Sequence, residues 1–376
     1  MELFKANRQW ATRPADERFE NLETLYEATR AYADTAVESD VKWGELRVEN
    51  VDGDVQLIGT QQRPAVLTNW AFGQLASRVK APAEYLSRLP ATLAAQNINF
   101  GLKQRAESEP SKSASLLIHR NGSMLVRALT SEKYSRIWNW EVAQKLMQLE
   151  QLGWEPARPD GMMTLNPSAM GGPSIERVPN ASLYASDHDL FAFLRHDNLA
   201  LDVPGATTAQ RQRPLYRGVI VENSEVGASA LKLTRFLYNR MCGNHIIWGA
   251  SELVDFSVRH VGNIAAKMQR WEFVLNEYAE QGASEDEAVI ARAQKTIIAD
   301  TKQGVLDKLF GMRTLGIPQK TLSASFDAVV PDEDGDARTV WGMVQGLTRH
   351  SQTLAFADKR NDLDRAAGRV LEKIKF

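Results

Sequence analysis

Residue types that can do nucleophilic, acid–base or metal chemistry concentrate in residues 214–248, PLYRGVIVENSEVGASALKLTRFLYNRMCGNHIIW. Cys242, the sole cysteine, lies three residues before His245 and two after Arg240. A thiolate needs an electropositive neighbour of that kind. A lone cysteine among apolar residues also packs as a small hydrophobe. Glu222 and Glu225 flank a polar turn, where solvated carboxylates commonly lie. Upstream, Asp187-His188-Asp189 with His196 and Asp197 offers carboxylate and imidazole ligands, yet at no established metal spacing. No G-x-x-x-x-G-K-[ST] or G-x-G-x-x-G string is present, so no phosphate loop of known type is expected. The residues define no catalytic set and call for no metal and no cofactor.

Charge is distributed more informatively than it totals. The formal net charge is -2, with 45 basic against 47 acidic residues. Residues 112–140 hold 5 basic against 1 acidic, and residues 208–271 hold 9 against 4, within an otherwise acidic chain. Phosphate contact needs Arg and Lys on one surface, and single strands also need aromatic faces for stacking. The first segment supplies Arg127, Lys133, Tyr134 and Arg136, and the second supplies Arg217, Arg235 and Arg240. If the segments meet in space, they form one positive surface. A sheet with a wet, arginine-bearing face and buried aromatics has the same composition.

The elements that must position these residues follow from periodicity. Residues 16–38 carry a helical stripe from Phe19 through Leu22 and Leu25 to Val37. A hairpin over 46–51 and 55–58 turns at Asp52-Gly53. Helices are expected at 69–80, at 82–88 and onward to about Asn97, then a polar loop over 104–114. Asn121-Gly122 marks a hairpin between 115–119 and 124–129, since both turn positions favour positive φ. A helix follows at 140–149, a loop with a weak strand near 162–165, a hairpin over 182–196, and an exposed basic loop at 201–213. Residues 230–242 fit a strand by alternation, and a helix nearly as well; strand is preferred, since Asn223–Gly227 reads as a hairpin turn after the apolar run 218–221 and Gly243-Asn244 as another turn. Beyond Ser257, a stripe from Val258 to Tyr278 reads as one long helix. Helices are expected at 284–298, 303–310, 319–327, 339–354 and 362–374, with an acidic turn at 332–336. The fold class is α+β: a central antiparallel, hairpin-built sheet flanked by helices, with a helical C-terminal region. Three regions are expected: 1–111 mostly helical with a small hairpin, 112–256 β-rich, and 257–376 helical. No apolar run approaches the roughly 18 residues of a membrane helix. With one cysteine, a reducing, cytoplasmic setting is expected.

Four blocks in order resemble one family. Asn223-Ser224-Glu225-Val226-Gly227 followed by Arg240-Met241-Cys242-Gly243-Asn244 is similar to a block of the phage- and plasmid-encoded proteins grouped as domain of unknown function 932. FGQLASRVKAPAEYLSRLP (72–90), VRALTSEKYSRI (126–137) and VRHVGNI (258–264), the last giving His260 and Asn263, resemble further family blocks. The resemblance spans roughly 65–280. It departs at Gly243-Asn244-His245, where many members have a residue other than Gly before the Asn and often Gly after it. It implies a protein of a mobile genetic element and no established reaction. The favoured expectation is a non-enzymatic protein gripping single-stranded DNA on a basic sheet surface, in recombination or replication. The rival expectations are an enzyme with a polar site of Glu225, Arg240, Cys242, Asn244 and His260, and a protein whose C-terminal helices bind a partner or a second copy.

Overall fold

The computed structural model describes residues 17–58, 63–121, 123–157, 182–202, 215–239, 244–246, 256–280, 284–351, 353–354 and 357–374. The weak strand near 162–165 and the basic loop, apart from 201–202, lie outside these residues.

The first sheet is built from β2 (Ala36–Lys42), β3 (Arg47–Val51), β4 (Asp54–Ile58), β5 (Pro64–Leu67), β6 (Ser113–Asn121) and β7 (Ser123–Ser131). Its order is β2-β6-β7-β5-β4-β3, with β5 and β7 parallel and the other pairs antiparallel. The Asp52-Gly53 turn takes positive φ at both positions, as expected. Helices α2 (Asn69–Arg78), α3 (Ala83–Leu86) and α4 (Ala91–Ser108) accompany it, and Phe72, Leu75, Ile98 and Leu102 are buried with Val48, Leu57, Leu116 and Val126 in one core. The strands on both sides of residue 111 belong to this one sheet. Residues 104–108 continue α4 and are not loop, because the helix meets no breaker before Pro110.

The second sheet runs β1-β9-β10-β11-β12-β13, with β8 on β10 and β14 on β12. Its centre is a meander of β10 (Leu190–Ala200), β11 (Leu215–Asn223) and β12 (Leu231–Asn239), so residues 231–239 are strand. The remaining strands are β1 (Arg18–Phe19), β8 (Trp154–Pro156), β9 (Leu183–Ala185), β13 (Asn244–Ile246) and β14 (Phe256–Val258). Leu190, Ala192, Leu194, Val219, Val221, Leu231 and Leu233 alternate onto one face. There they pack with α1 (Leu22–Asp34), α5 (Asn139–Glu150) and α7 (Arg270–Glu280).

Two expected helices are corrected. The stripe over 16–38 is helical from Leu22 to Asp34 alone, and Ala36–Lys42 is a strand paired with β6. Backbone pairing with β6 along the whole of Ala36–Lys42 takes the place of a continued helix. The long helix beyond Ser257 is strand at Phe256–Val258, then α6 (Ile264–Met268), then α7. Gly262, at φ +75, breaks the periodic run. Asn263 then starts the helix, its Oδ1 accepting from the Ala266 N–H at 3.1 Å.

The C-terminal helices are α8 (Ser284–Lys295), α9 (Lys302–Gly311), α10 (Gln319–Asp327), α11 (Pro331–Asp334), α12 (Val340–Ser351) and α13 (Ala357–Lys373). The acidic stretch expected as a turn is largely α11, with Pro331 at its start. Helix α12 is the axis of this body: Trp341, Met343, Val344 and Leu347 are buried among Ile290, Leu306, Leu322, Ala367 and Val370. Leu201, Leu215 and Leu237 join the same core and so tie the helices to the second sheet.

Candidate functional site

The Asn223–Gly227 loop follows β11 and is buried where the two sheets meet. Asn223 and Ser224 are fully buried and Glu225 nearly so. Gly227 turns the chain at φ +83. Three consecutive carbonyls of the loop accept side-chain donors from the first 136 residues. Ser224 O accepts from Tyr134 OH (3.0 Å), Glu225 O from Arg136, and Val226 O from Trp70 Nε1 (3.0 Å) and Gln74 Nε2 (2.7 Å). Gln74 is itself held by the Leu129 N–H on its Oε1, 2.8 Å. Loop carbonyls of this depth require such partners, since water cannot reach them.

The loop's charge is matched as closely. Glu225 Oε2 takes a bond from Arg127 Nη1 at 2.8 Å, and both side chains are almost wholly excluded from solvent. Its Oε1 accepts from the Asn139 N–H at 2.7 Å, at the positive end of α5. Arg127 donates further to the Asp187 carbonyl and to His119 Nε2 (3.0 Å), and its guanidinium lies 4.4 Å over the Tyr32 ring. Because Arg127 can only donate, His119 Nε2 accepts, so its Nδ1 carries the proton to Thr35 Oγ1 at 2.8 Å. Burial, reinforced by Arg127 and Arg136, pushes the His119 pKa down to about 4. Asn223 Nδ2 donates to Ile137 O (3.0 Å) and Asn139 Oδ1 (2.8 Å), and Ser224 Oγ donates to His188 O (2.6 Å).

His260 extends this cluster from the other side. Its Nδ1 lies 2.9 Å from Tyr134 OH and the two rings stack at 5.0 Å. Since Tyr134 donates to Ser224 O, His260 Nδ1 holds the proton, and its buried Nε2 has no hydrogen-bond partner. Burial, then Arg136, pushes its pKa down to about 4, and burial raises that of Tyr134. The arrangement makes Glu225 an anchor. Each carboxylate oxygen has an internal donor and the residue is only 2% exposed, so the group is held away from any substrate in solution.

The sequence-predicted residues separate clearly in space. Arg127, Tyr134, Arg136, Asn223, Ser224, Glu225, Gly227 and His260 come together in this joint. Arg136 also pairs with Glu38 and is buried along its side chain. Arg217 is buried on the second sheet, paired with Asp286 at 2.7 Å. Arg235 lies 4.4 Å over the Tyr278 ring, and burial pushes its pKa down to about 10. Arg127, Arg136 and Arg217 therefore face internal partners and not a solvent groove. Lys133 is exposed, and so is Asn263. Arg240 and Cys242 lie outside the described residues; Asn244 pairs through its backbone with Asn239. His188 bonds with Asp187 (2.9 Å), whereas His196 Nε2 meets Leu152 O (3.0 Å), so the two His-Asp pairs do not converge. No group of three or more metal-ligating side chains occurs among the described residues. No helix among them is long and apolar enough to cross a membrane.

Where the two basic segments touch, a different set reaches solvent. Tyr134 bridges Val261 through an isolated antiparallel pairing, and Ser135 N–H donates to His260 O at 2.8 Å. In the bridged stretches Lys133, Arg259 and Lys267 are exposed, as is Arg270 at the start of α7, and Lys267 Nζ sits 2.8 Å from Val261 O. Glu132 is the acidic residue within 131–136 and 258–270. Arg259, Lys267 and Arg270 were not among the sequence candidates. Their signal was the same charge excess, but reading 257–282 as one helix gave no reason to place them beside Lys133.

The family model described as Domain of unknown function (DUF932) matches residues 181–369. That match begins and ends further along the chain than the resembling stretch of 65–280. No curated protein and no solved structure matches.

Proposed function

The chain belongs to the DUF932 family, and from that premise we propose that it is a non-enzymatic protein of a mobile element that binds single-stranded nucleic acid at the junction of its two basic segments. The observation that carries this reading is the Tyr134–Val261 bridge, which brings two cation-rich stretches together across 126 intervening residues, with Lys133, Arg259 and Lys267 exposed in the bridged stretches and Arg270 exposed at the start of α7. Clustered ammonium and guanidinium groups bind a polyanion by releasing its condensed counterions, with no deep cleft needed. The neighbouring joint supports the reading by holding both segments on one rigid frame. Arg127 and Arg136 act in that joint, and Arg217 and Arg235 against Asp286 and Tyr278 on the second sheet, and not on phosphate.

The test is fluorescence anisotropy of labelled oligothymidylate against the intact protein across a salt series. Binding weakens steeply with salt, and the quadruple variant K133E/R259E/K267E/R270E loses it. Each phosphate contact removed lowers the slope of log affinity against log salt by about 0.7. Binding that is absent at low salt, or indifferent to salt, or unchanged in the quadruple variant, overturns the proposal.

A further inference from the structure

Phe273 is among the most exposed large apolar side chains of the described residues, at 67%. It sits on α7, whose opposite face is anchored by Trp271, Leu275 and Tyr278, all buried. At about 100° per residue, Arg270 lies roughly 60° from Phe273 around that helix and Glu277 roughly 40°. The ring therefore stands with a cation one turn before it and a carboxylate one turn after it. Val261, 45% exposed, marks the bridge on the other side of the short α6. An aromatic residue on the solvent side of an amphipathic helix adds nothing to the core. Its position one turn from Arg270, on the helix that follows the Lys267-bearing α6, supplies the combination that single strands use: phosphates on cations, a base against the ring.

We infer that Phe273 is the stacking platform of the proposed nucleic-acid site, and that it gives the site its preference for unpaired over paired strands. This rests on the reading that the basic junction binds nucleic acid. A duplex keeps its bases stacked on one another and offers the ring no free π-face, while its phosphates still meet Lys133, Arg259, Lys267 and Arg270. An unpaired base lies across Phe273 whatever its identity, because every base has a π-face. Glu277 bounds the site at its far end by repelling the next phosphate.

The experiment compares labelled oligothymidylate with a duplex of equal length on the wild type, Phe273→Ala and Phe273→Trp, with melting temperature and light scattering recorded for each. Phe273→Ala weakens single-strand binding on the order of tenfold and leaves duplex binding within about twofold. Phe273→Trp restores it, and all three proteins melt alike. If the wild type binds no nucleic acid, the function reading and this inference fall together. If the charge-reversed variant loses binding but Phe273→Ala does not, this inference alone is overturned. Equal weakening toward both probes, or a loss of self-association with unchanged selectivity, also overturns it.

Discussion

His119 and His260 show how residue chemistry is set by surroundings that a motif does not reveal. Each is buried beside arginine, and each is held as a neutral tautomer by its neighbours: Arg127 and Thr35 around His119, Tyr134 against His260. Their pKa values lie near 4, below the ordinary 6.5. A group whose pKa is depressed on folding binds its proton more readily when unfolded. Its contribution to stability is complete above about pH 6.5 and is lost as pH falls toward 4. Melting temperature should therefore drop across that window. The drop should be shallower in His119→Gln and His260→Gln, because glutamine cannot take up the proton. An identical pH profile in the wild type and both variants would contradict this. The sequence presented His260 as a motif residue and passed over His119, since a single histidine in a strand carries no signal until its neighbours are known.

At the scale of elements, close approach decides more than propensity. Gly346 lies mid-way along α12, where a Cβ would stand 2.2 Å from Ser325 O and 2.7 Å from Val329 Cγ2. Gly73, in α2, would meet nothing within 4 Å. Alanine is favoured over glycine within a helix by about 1 kcal/mol, and forcing an added methyl into a filled contact costs about 1–3 kcal/mol. Gly346→Ala should then destabilise the protein by up to about 2 kcal/mol net, while Gly73→Ala should stabilise it by up to about 1 kcal/mol. Urea titration of the two variants measures both, and equal shifts of the same sign would refute the contact argument. The hairpins were legible because alternation and turn residues are local: Asp52-Gly53, the 182–196 pair and the 215–239 pair lie where expected. The run from Val258 to Tyr278 was not, because apolar residues of an edge strand and of a helix interleave at similar spacing until Gly262 and Asn263 are given their due. Ala36–Lys42 was missed for a related reason. Its partner, β6, lies some 75 residues away, and an edge strand held by backbone pairing with a distant segment, with Val41 alone buried, leaves a weak local trace.

For the whole molecule, the Arg127–Glu225 pair is the charge that couples the first sheet to the second. Removing one member of a buried pair leaves the other charge without compensation, at a cost of about 3–5 kcal/mol. Glu225→Gln keeps the size of the side chain and removes the charge, so its main effect is that penalty. We expect calorimetry to show a large fall in melting temperature and the separation of a transition for the first sheet from that of the remainder. A melting temperature equal to that of the wild type would show that the joint does not hold the two sheets together. The family match covers the loop side of this joint at residues 223–227, while Trp70, Gln74, Arg127, Tyr134 and Arg136 precede residue 181. The N-terminal sheet is thus the internal partner of the matched region's buried loop.

By itself the sequence determined the α+β class, the hairpins, most C-terminal helices, the family blocks and the existence of two basic segments, because all of these are written in local spacing and composition. Tertiary structure decided which charges face inward. Arg127 and Lys133 are both cations of one basic segment, six residues apart; one is buried against Glu225, the other faces water. Burial of a charge depends on a carboxylate almost a hundred residues away being delivered to it, and no local pattern encodes that meeting. The Asn-Ser-Glu-x-Gly loop, conspicuous as a candidate for chemistry, is held by its own protein at nearly every polar atom. The exposed cations lie outside it, in the stretches joined by the Tyr134–Val261 bridge.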